Sequence, residues 1–143
     1  MTHVRFHFNV ADSTDYACRL LRKATRQGAK IAVTGPARAL AGLDRALWSF
    51  DALEFVPHVV LPPGQVLPER LRATPVCLVE DPANAPTREV LVNLGPETPV
   101  GFEAFERVVE IVSMEEGDRA AARARWRTYA ALGATIERHE VTA

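Results

Sequence analysis

Three arginines near the C-terminus, Arg119, Arg123 and Arg127, recur at every fourth residue. On a helix turning about 100° per residue they span about 80° of the wheel, which makes one continuous guanidinium ridge. Trp126 projects about 20° to one side of Arg119, and Ala120, Ala121, Ala122 and Ala124 keep the helix slim. Planar guanidinium forks beside an aromatic ring can bind carboxylates, phosphates or an acidic peptide. The same spacing also suits an ordinary solvated helix face, with Glu115 and Glu116 as local ion-pair partners. A second group is Leu43-Asp44-Arg45-Ala46-Leu47-Trp48, followed by Phe55-Val56-Pro57-His58. Two large aromatics around a connection stiffened by Pro57 can anchor a protein partner, and they can equally be core.

Other chemistry is poorly supplied. The turn Val33-Thr34-Gly35-Pro36-Ala37 lacks the glycine spacing of a dinucleotide fingerprint and the Gly-Lys-Ser/Thr of a P-loop, and Pro36 removes an amide that could cradle phosphate. His3 and His7 share a strand face but stand roughly 13 Å apart at ~3.3 Å per residue. His58 and His139 are isolated in sequence, so no metal site is expected. Glu80-Asp81 lies where α/β folds place ligands, yet Pro82 follows and makes a turn the simpler reading. Ser13, Ser49 and Ser113 lack a nucleophile-elbow pattern. Cys18 and Cys77, the only cysteines, are flanked by apolar residues and read as buried thiols. No catalytic residue, metal or cofactor is assigned.

These residues need elements to hold them. Val4, Phe6 and Phe8 alternate with Arg5, His7 and Asn9, the period of a half-buried strand. A helix capped by Asp12 or Ser13 and ended by Gly28 follows, with Tyr16, Ala17, Leu20, Leu21 and Ala24 on its apolar stripe. Ile31-Ala32-Val33-Thr34 reads as a buried parallel strand. Leu40, Leu43, Leu47 and Trp48 give the next helix its apolar spacing. Residues 61–68 form a Pro-rich loop inside the domain. Strands are predicted at Val76–Val79, Val90–Leu94, Arg107–Val112 and Ala134–Glu137, with a helix over Glu115–Leu132 ended by Gly133. Strands alternating with helices imply a single α/β domain over residues 1–143, a Rossmann-like three-layer sandwich with a mainly parallel sheet and helices on both faces.

Composition narrows the function. The 143 residues are 48% hydrophobic and 24% charged, ordinary usage for one globular domain. No run approaches the ~20 apolar residues of a membrane span, and the first residues lack the pattern of a signal peptide, so a cytoplasmic location is expected. The net charge of −1 disfavours a generic basic nucleic-acid binder. That figure conceals segregation. Residues 1–30 carry six cations against Asp12 and Asp15, residues 61–118 have a net charge of −7, and residues 119–143 a net of +3. Such asymmetry points to separate faces for separate partners.

The chain resembles the chi subunit family of bacterial DNA polymerase III, an accessory component of the clamp-loader complex. The resemblance rests on Phe6-His7-Phe8, Leu43-Asp44-Arg45-Ala46-Leu47-Trp48, Phe55-Val56-Pro57-His58, Val90-Leu91-Val92-Asn93-Leu94 and Val108-Val109-Glu110-Ile111-Val112. It continues through Arg119, Ala122-Arg123-Ala124-Arg125-Trp126-Arg127, Tyr129 and Gly133. It implies a non-catalytic adaptor without a cofactor. Family members bind the acidic C-terminal tail of single-stranded-DNA-binding protein and the psi subunit of the clamp loader. In some bacteria chi instead joins a helicase related to the XPD family through the psi-binding surface. The resemblance carries tail binding to Arg119, Arg123, Val112 and Trp126, with Arg127 continuing the ridge. It carries the psi or helicase surface to Trp48, Phe55, Val56, Pro57 and His58. Ser113 and Met114 stand where some members have proline and tyrosine, and the Leu61–Pro68 loop has no clear counterpart. The alternative is a small nucleotide-dependent or nucleic-acid-processing enzyme on the same fold.

Overall fold

The computed structural model describes residues 2–51, 53 and 55–142; the ends of the expected domain, Met1 and Ala143, lie outside the described residues. Seven strands form one sheet: β1 (His3–Val10), β2 (Ile31–Thr34), β3 (His58–Leu61), β4 (Val76–Val79), β5 (Val90–Asn93), β6 (Arg107–Ser113) and β7 (Thr135–Glu140). Their spatial order is β3-β4-β2-β5-β6-β1-β7, and every neighbouring pair is parallel. The interior strands β2 and β4 are buried at every residue, which explains their apolar sequences; the one polar side chain, Thr34 at the end of β2, is satisfied by the Glu80 carbonyl.

Helices α1 (Ser13–Arg26) and α2 (Ala37–Ser49) cover one face, and α3 (Glu116–Ala131) covers the other. Ala17, Cys18 and Leu21 of α1 and Leu40, Leu43 and Leu47 of α2 pack on Ile31, Val33, Val76, Leu78 and Val92. Opposite them, Ala122 and Tyr129 of α3 share a core with Val4, Phe6, Leu91, Val108 and Val112, and Phe102, Phe105, Leu61 and Leu67 complete that layer. The expected three-layer α/β sandwich is therefore present, with a sheet that is parallel throughout.

Local capping follows the chemistry. Asp12 accepts the amide of Asp15 at the start of α1, the usual way to satisfy an orphan helix N–H. Gly133, at φ 83°, ends α3 in the left-handed region and turns the chain into β7.

Three features depart from the sequence reading. β3 is a strand where a connection was expected. Its four residues sit at the sheet edge between Pro57 and Pro62, too short to display a period. Trp48 does not belong to the buried stripe of α2: it is 65% exposed. And β1 does not alternate to its end. Asn9 stands at φ 63°, and the register against β6 shifts between His7 and Val10. This bulge sends Val10 into the layer under α1 and α2, whereas Val4, Phe6 and Phe8 face α3.

The centre of the α3 layer is polar. Glu110 of β6 is fully buried. Its Oε1 accepts Arg125 Nε at 3.0 Å, and its Oε2 accepts the Tyr129 hydroxyl at 2.6 Å and Asn93 Nδ2 at 2.9 Å. Arg125 also donates to the Pro96 carbonyl at 3.0 Å. Burial pushes the Glu110 carboxyl up; Arg125, Tyr129 and Asn93 pull it back. Burial and the neighbouring carboxylate raise the Tyr129 phenol, which keeps it a donor.

On the other face, His7 shares a short hydrogen bond with the Tyr16 hydroxyl, and its ring centroid lies 5.1 Å from that of His139. Burial, then His139 and Arg5, lower its pKa to about 4.

Two stability tests follow from these groups. Arg125→Met strands a buried carboxylate and is expected to cost about 3–5 kcal/mol in urea unfolding, while Glu110→Leu together with Arg125→Met recovers most of it. His7 is neutral in the fold at pH values where the unfolded chain binds a proton. Stability therefore falls as pH drops from about 6.5 toward 4. His7→Gln should flatten that part of the profile of urea midpoint against pH.

Candidate functional site

The arginine ridge borders a real groove. Between α3 and the edge formed by β1 and β7 lies a cavity of about 530 Å³, with Phe6, Phe8, Val112 and Trp126 among its apolar walls and Arg119, Arg123, Arg127 and Arg138 among its cations. All five residues expected for tail binding, Val112, Arg119, Arg123, Trp126 and Arg127, line it. Trp126 is held by its neighbours: its ring centroid lies 5.0 Å from that of Phe6, and Phe6 in turn meets Tyr129 edge-on at 5.9 Å.

The inward face of α3 sets the outward one. Ala122, Arg125 and Tyr129 are buried, so Arg119 and Arg123 fall along the flank that overhangs the groove. Arg119 donates to Asn9 Oδ1 at 2.6 Å, and Asn9 Nδ2 donates to Glu140 at 2.8 Å. The left-handed backbone at Asn9 thus aims one amide at both sides of the groove mouth. Arg123 donates to Glu116 at 2.7 Å, and that bond holds the exposed Glu116 carboxyl below its ordinary pKa. Arg127 has no hydrogen-bond or ion-pair partner among the described residues. An apolar floor with fixed guanidinium groups above it can take a carboxylate joined to an apolar side chain.

The aromatic group lies at the opposite end of the sheet, on the α2 side of edge strand β3. Trp48 and Phe55 are 65% and 49% exposed, and their ring centroids lie 4.9 Å apart. Val60, two positions after His58 on the same face of β3, is also exposed. The other residues expected there play different parts. Val56 is buried and packs in the core beneath α2, so it supports the surface rather than presenting itself. His58 is a strut: its side chain is 1% exposed, it bonds Asp44 at 2.9 Å and the Val56 carbonyl at 2.7 Å, and it backs both aromatic rings. Pro57 is exposed beside them.

The remaining candidates stay apart or are engaged. Among the described residues, no group of three or more His, Cys, Asp or Glu is placed to hold a metal ion. Burial pushes both thiols, Cys18 and Cys77, up to about 11. Asp81 caps a single helical turn through the Ala83 amide, as its Asp-Pro sequence predicts. At Gly35 a side chain would meet Leu94 Cβ at 3.2 Å, so the glycine serves the close approach of two strand ends. No helix among the described residues is long and apolar enough to cross a membrane.

Sequence reasoning missed Asn9, Phe8 and Arg138 at the groove and Val60 on edge strand β3. The signal for Phe8 was its place in the alternation of Val4 and Phe6; Arg138 falls one residue beyond the predicted last strand, which β7 carries on to Glu140. Nothing in the one-dimensional pattern signals the bulge at Asn9.

Known proteins resemble this chain in fold and in sequence. In fold, the chain is similar to a chain from a yeast (S. cerevisiae) structure of a Dbp5 variant bound to Nup159, a Gle1 variant, IP6 and ADP. The TM-score is 0.60 at 11% identity, over 99% of this chain and 42% of that one. At that identity only the fold is shared. In sequence, it is 35% identical to the DNA polymerase III subunit chi of Pseudomonas aeruginosa, over 99% of this chain and 98% of the relative. It is 26% identical to the same-named subunit of Haemophilus influenzae, over 79% of this chain and 76% of that one. The family model for the DNA polymerase III chi subunit, HolC, matches residues 1–137. With that match spanning nearly every element described above, the chain belongs to the DNA polymerase III chi subunit family.

Proposed function

We propose that this chain is a non-catalytic adaptor of the DNA polymerase III holoenzyme that grips the acidic C-terminal tail of single-stranded-DNA-binding protein in the α3 groove. The observation that carries this reading is the groove itself, in which an apolar floor of Phe6, Phe8, Val112 and Trp126 lies under Arg119, Arg123 and Arg127. The tail of that partner offers acidic residues, an apolar segment and a free carboxylate. Guanidinium forks suit the carboxylate and the aromatic floor suits the apolar segment.

The exposed pair Trp48 and Phe55, with Pro57, forms the proposed docking surface for the psi subunit, or for a helicase related to the XPD family in bacteria that use one. Val56 and His58 hold that surface in shape. Large aromatics at the centre of a patch supply binding energy, and neighbouring polar groups steer the encounter. As a replication subunit the chain would work in the cytoplasm, on DNA that its partner coats and without binding DNA strongly itself.

Binding of a tail peptide, measured by calorimetry, tests the groove. Arg123→Ala and Arg119→Ala are each expected to weaken it by about 1.5–3 kcal/mol, the cost of a lost charge-assisted contact. Glu116→Gln removes a competing carboxylate and should tighten it slightly. Unchanged affinity in both arginine variants would overturn the assignment.

The aromatic surface is tested by separating stability from docking. Trp48→Ala and Phe55→Ala should abolish co-purification with psi or the helicase while keeping tail binding and changing unfolding free energy by about 0.5 kcal/mol or less. Val56→Ala, by contrast, removes core volume and should cost about 1–3 kcal/mol. Large destabilisation by Trp48→Ala would instead mean that the ring is structural.

A further inference from the structure

Resting on the tail-binding reading above, we propose that Arg138 is a specificity-determining residue of the groove, gripping an acidic side chain of the bound peptide upstream of its terminal carboxylate. Arg138 is on β7, paired in register with Phe6, and so approaches the groove from the wall opposite α3. It lines the same cavity as Arg119, Arg123, Arg127 and Trp126. Its guanidinium carbon lies 4.8 Å from the Phe8 ring centroid, and stacking of this kind holds the planar group with its N–H donors directed outward.

Those donors are available. Arg119 is bonded to Asn9 and Arg123 to Glu116, whereas Arg138 has no hydrogen-bond or ion-pair partner among the described residues. The carboxylate two positions along the same strand, Glu140, is already held by the Asn9 amide at 2.8 Å. A terminal carboxylate is a single group and is satisfied by the α3 wall alone. A cation on the facing wall adds affinity only for a peptide that brings a second negative charge while its apolar side chain fills the floor. Arg138 therefore reads whether the peptide is acidic, and α3 reads whether it ends there.

A comparison of two synthetic peptides tests this: the natural tail of the single-stranded-DNA-binding protein, and the same tail with its aspartates and glutamates changed to amides but its terminal carboxylate kept. Arg138→Gln should weaken the acidic peptide about three- to tenfold, the range of one exposed charge-assisted contact, and leave the neutralised peptide unchanged. It should also reduce the salt dependence of binding. Arg138→Lys should recover part of the loss. Equal loss on both peptides would show that Arg138 only braces Phe8, and no loss on either would remove it from recognition; both overturn the proposal. Arg123→Ala distinguishes the two levels: it should weaken both peptides. If Arg123→Ala has no effect on either peptide, or the wild-type protein binds neither, the tail-binding reading itself falls, and the role of Arg138 with it.

Discussion

A carboxylate with no exposure to water fixes the position of everything on the α3 face. Glu110 lies in the middle of a parallel sheet, where an unpaired charge would cost several kcal/mol. Its three partners come from two elements: Asn93 from the end of β5, Arg125 and Tyr129 from α3. Arg125 also clamps the Pro96 carbonyl. An apolar contact tolerates a sliding helix; a guanidinium against one carboxylate oxygen and a phenol against the other do not. The network thus sets the rotation and the height of α3. With Arg125 and Tyr129 turned inward, Trp126 falls at the margin over Phe6, and Arg119 and Arg123 fall along the groove flank. A one-residue rotation, about 100°, would carry all of them away from it.

The two candidate surfaces sit at opposite ends of the strand order. The aromatic patch belongs to edge strand β3, and the groove to β1 and β7. Five strand spacings separate β3 from β1, roughly 24 Å at ~4.8 Å each. That separation suits a bridging role, since a ligand in the groove leaves the patch uncovered. The surfaces also differ in kind. The patch is a pair of tilted, touching rings propped by the His58 side chain, and its contribution is area removed from water. The groove carries charge, so its contribution depends also on what the ligand's ionised groups find there.

Most of the layer arrangement was legible because its strands obey simple rules. The short apolar runs at Ile31–Val33 and Val76–Val79 read as strands buried on both faces, and Asp12 and Gly133 punctuate their helices as their chemistry demands. β3 escaped because a four-residue edge strand between prolines shows no period. The arginine spacing identified the flank of α3, but spacing alone could not tell Arg125, which is buried, from Arg123 and Arg127, which are exposed. That distinction depends on Glu110, sixteen positions in front of Trp126 and visible only once β6 lies beneath α3. Trp48 was read into the apolar stripe of α2 because a ring at the correct spacing looks like core. It is exposed because α2 ends there and β3 is the last strand. Arg138 and Asn9 depend on register and on a bulge, which belong to the pairing of strands rather than to any one of them.

Local charge and net charge act in different ways here. On the tail-binding reading the ridge is not a general phosphate site, because part of it is already answered: Asn9 holds Arg119 and Glu116 holds Arg123. An incoming anion must replace those contacts, so the exchange returns only part of the energy of each charge-assisted pair. What tips the balance is the floor. A ligand that buries an apolar side chain against Phe6, Val112 and Trp126 gains roughly 1.5–3 kcal/mol, and a phosphodiester backbone brings no such group. The acidic middle of the chain, at −7 over residues 61–118, further opposes a polyanion approaching without that apolar contact. On that reading, discrimination between an acidic peptide and a nucleic acid needs no strongly basic protein. It follows from placing partly neutralised arginines around an apolar groove.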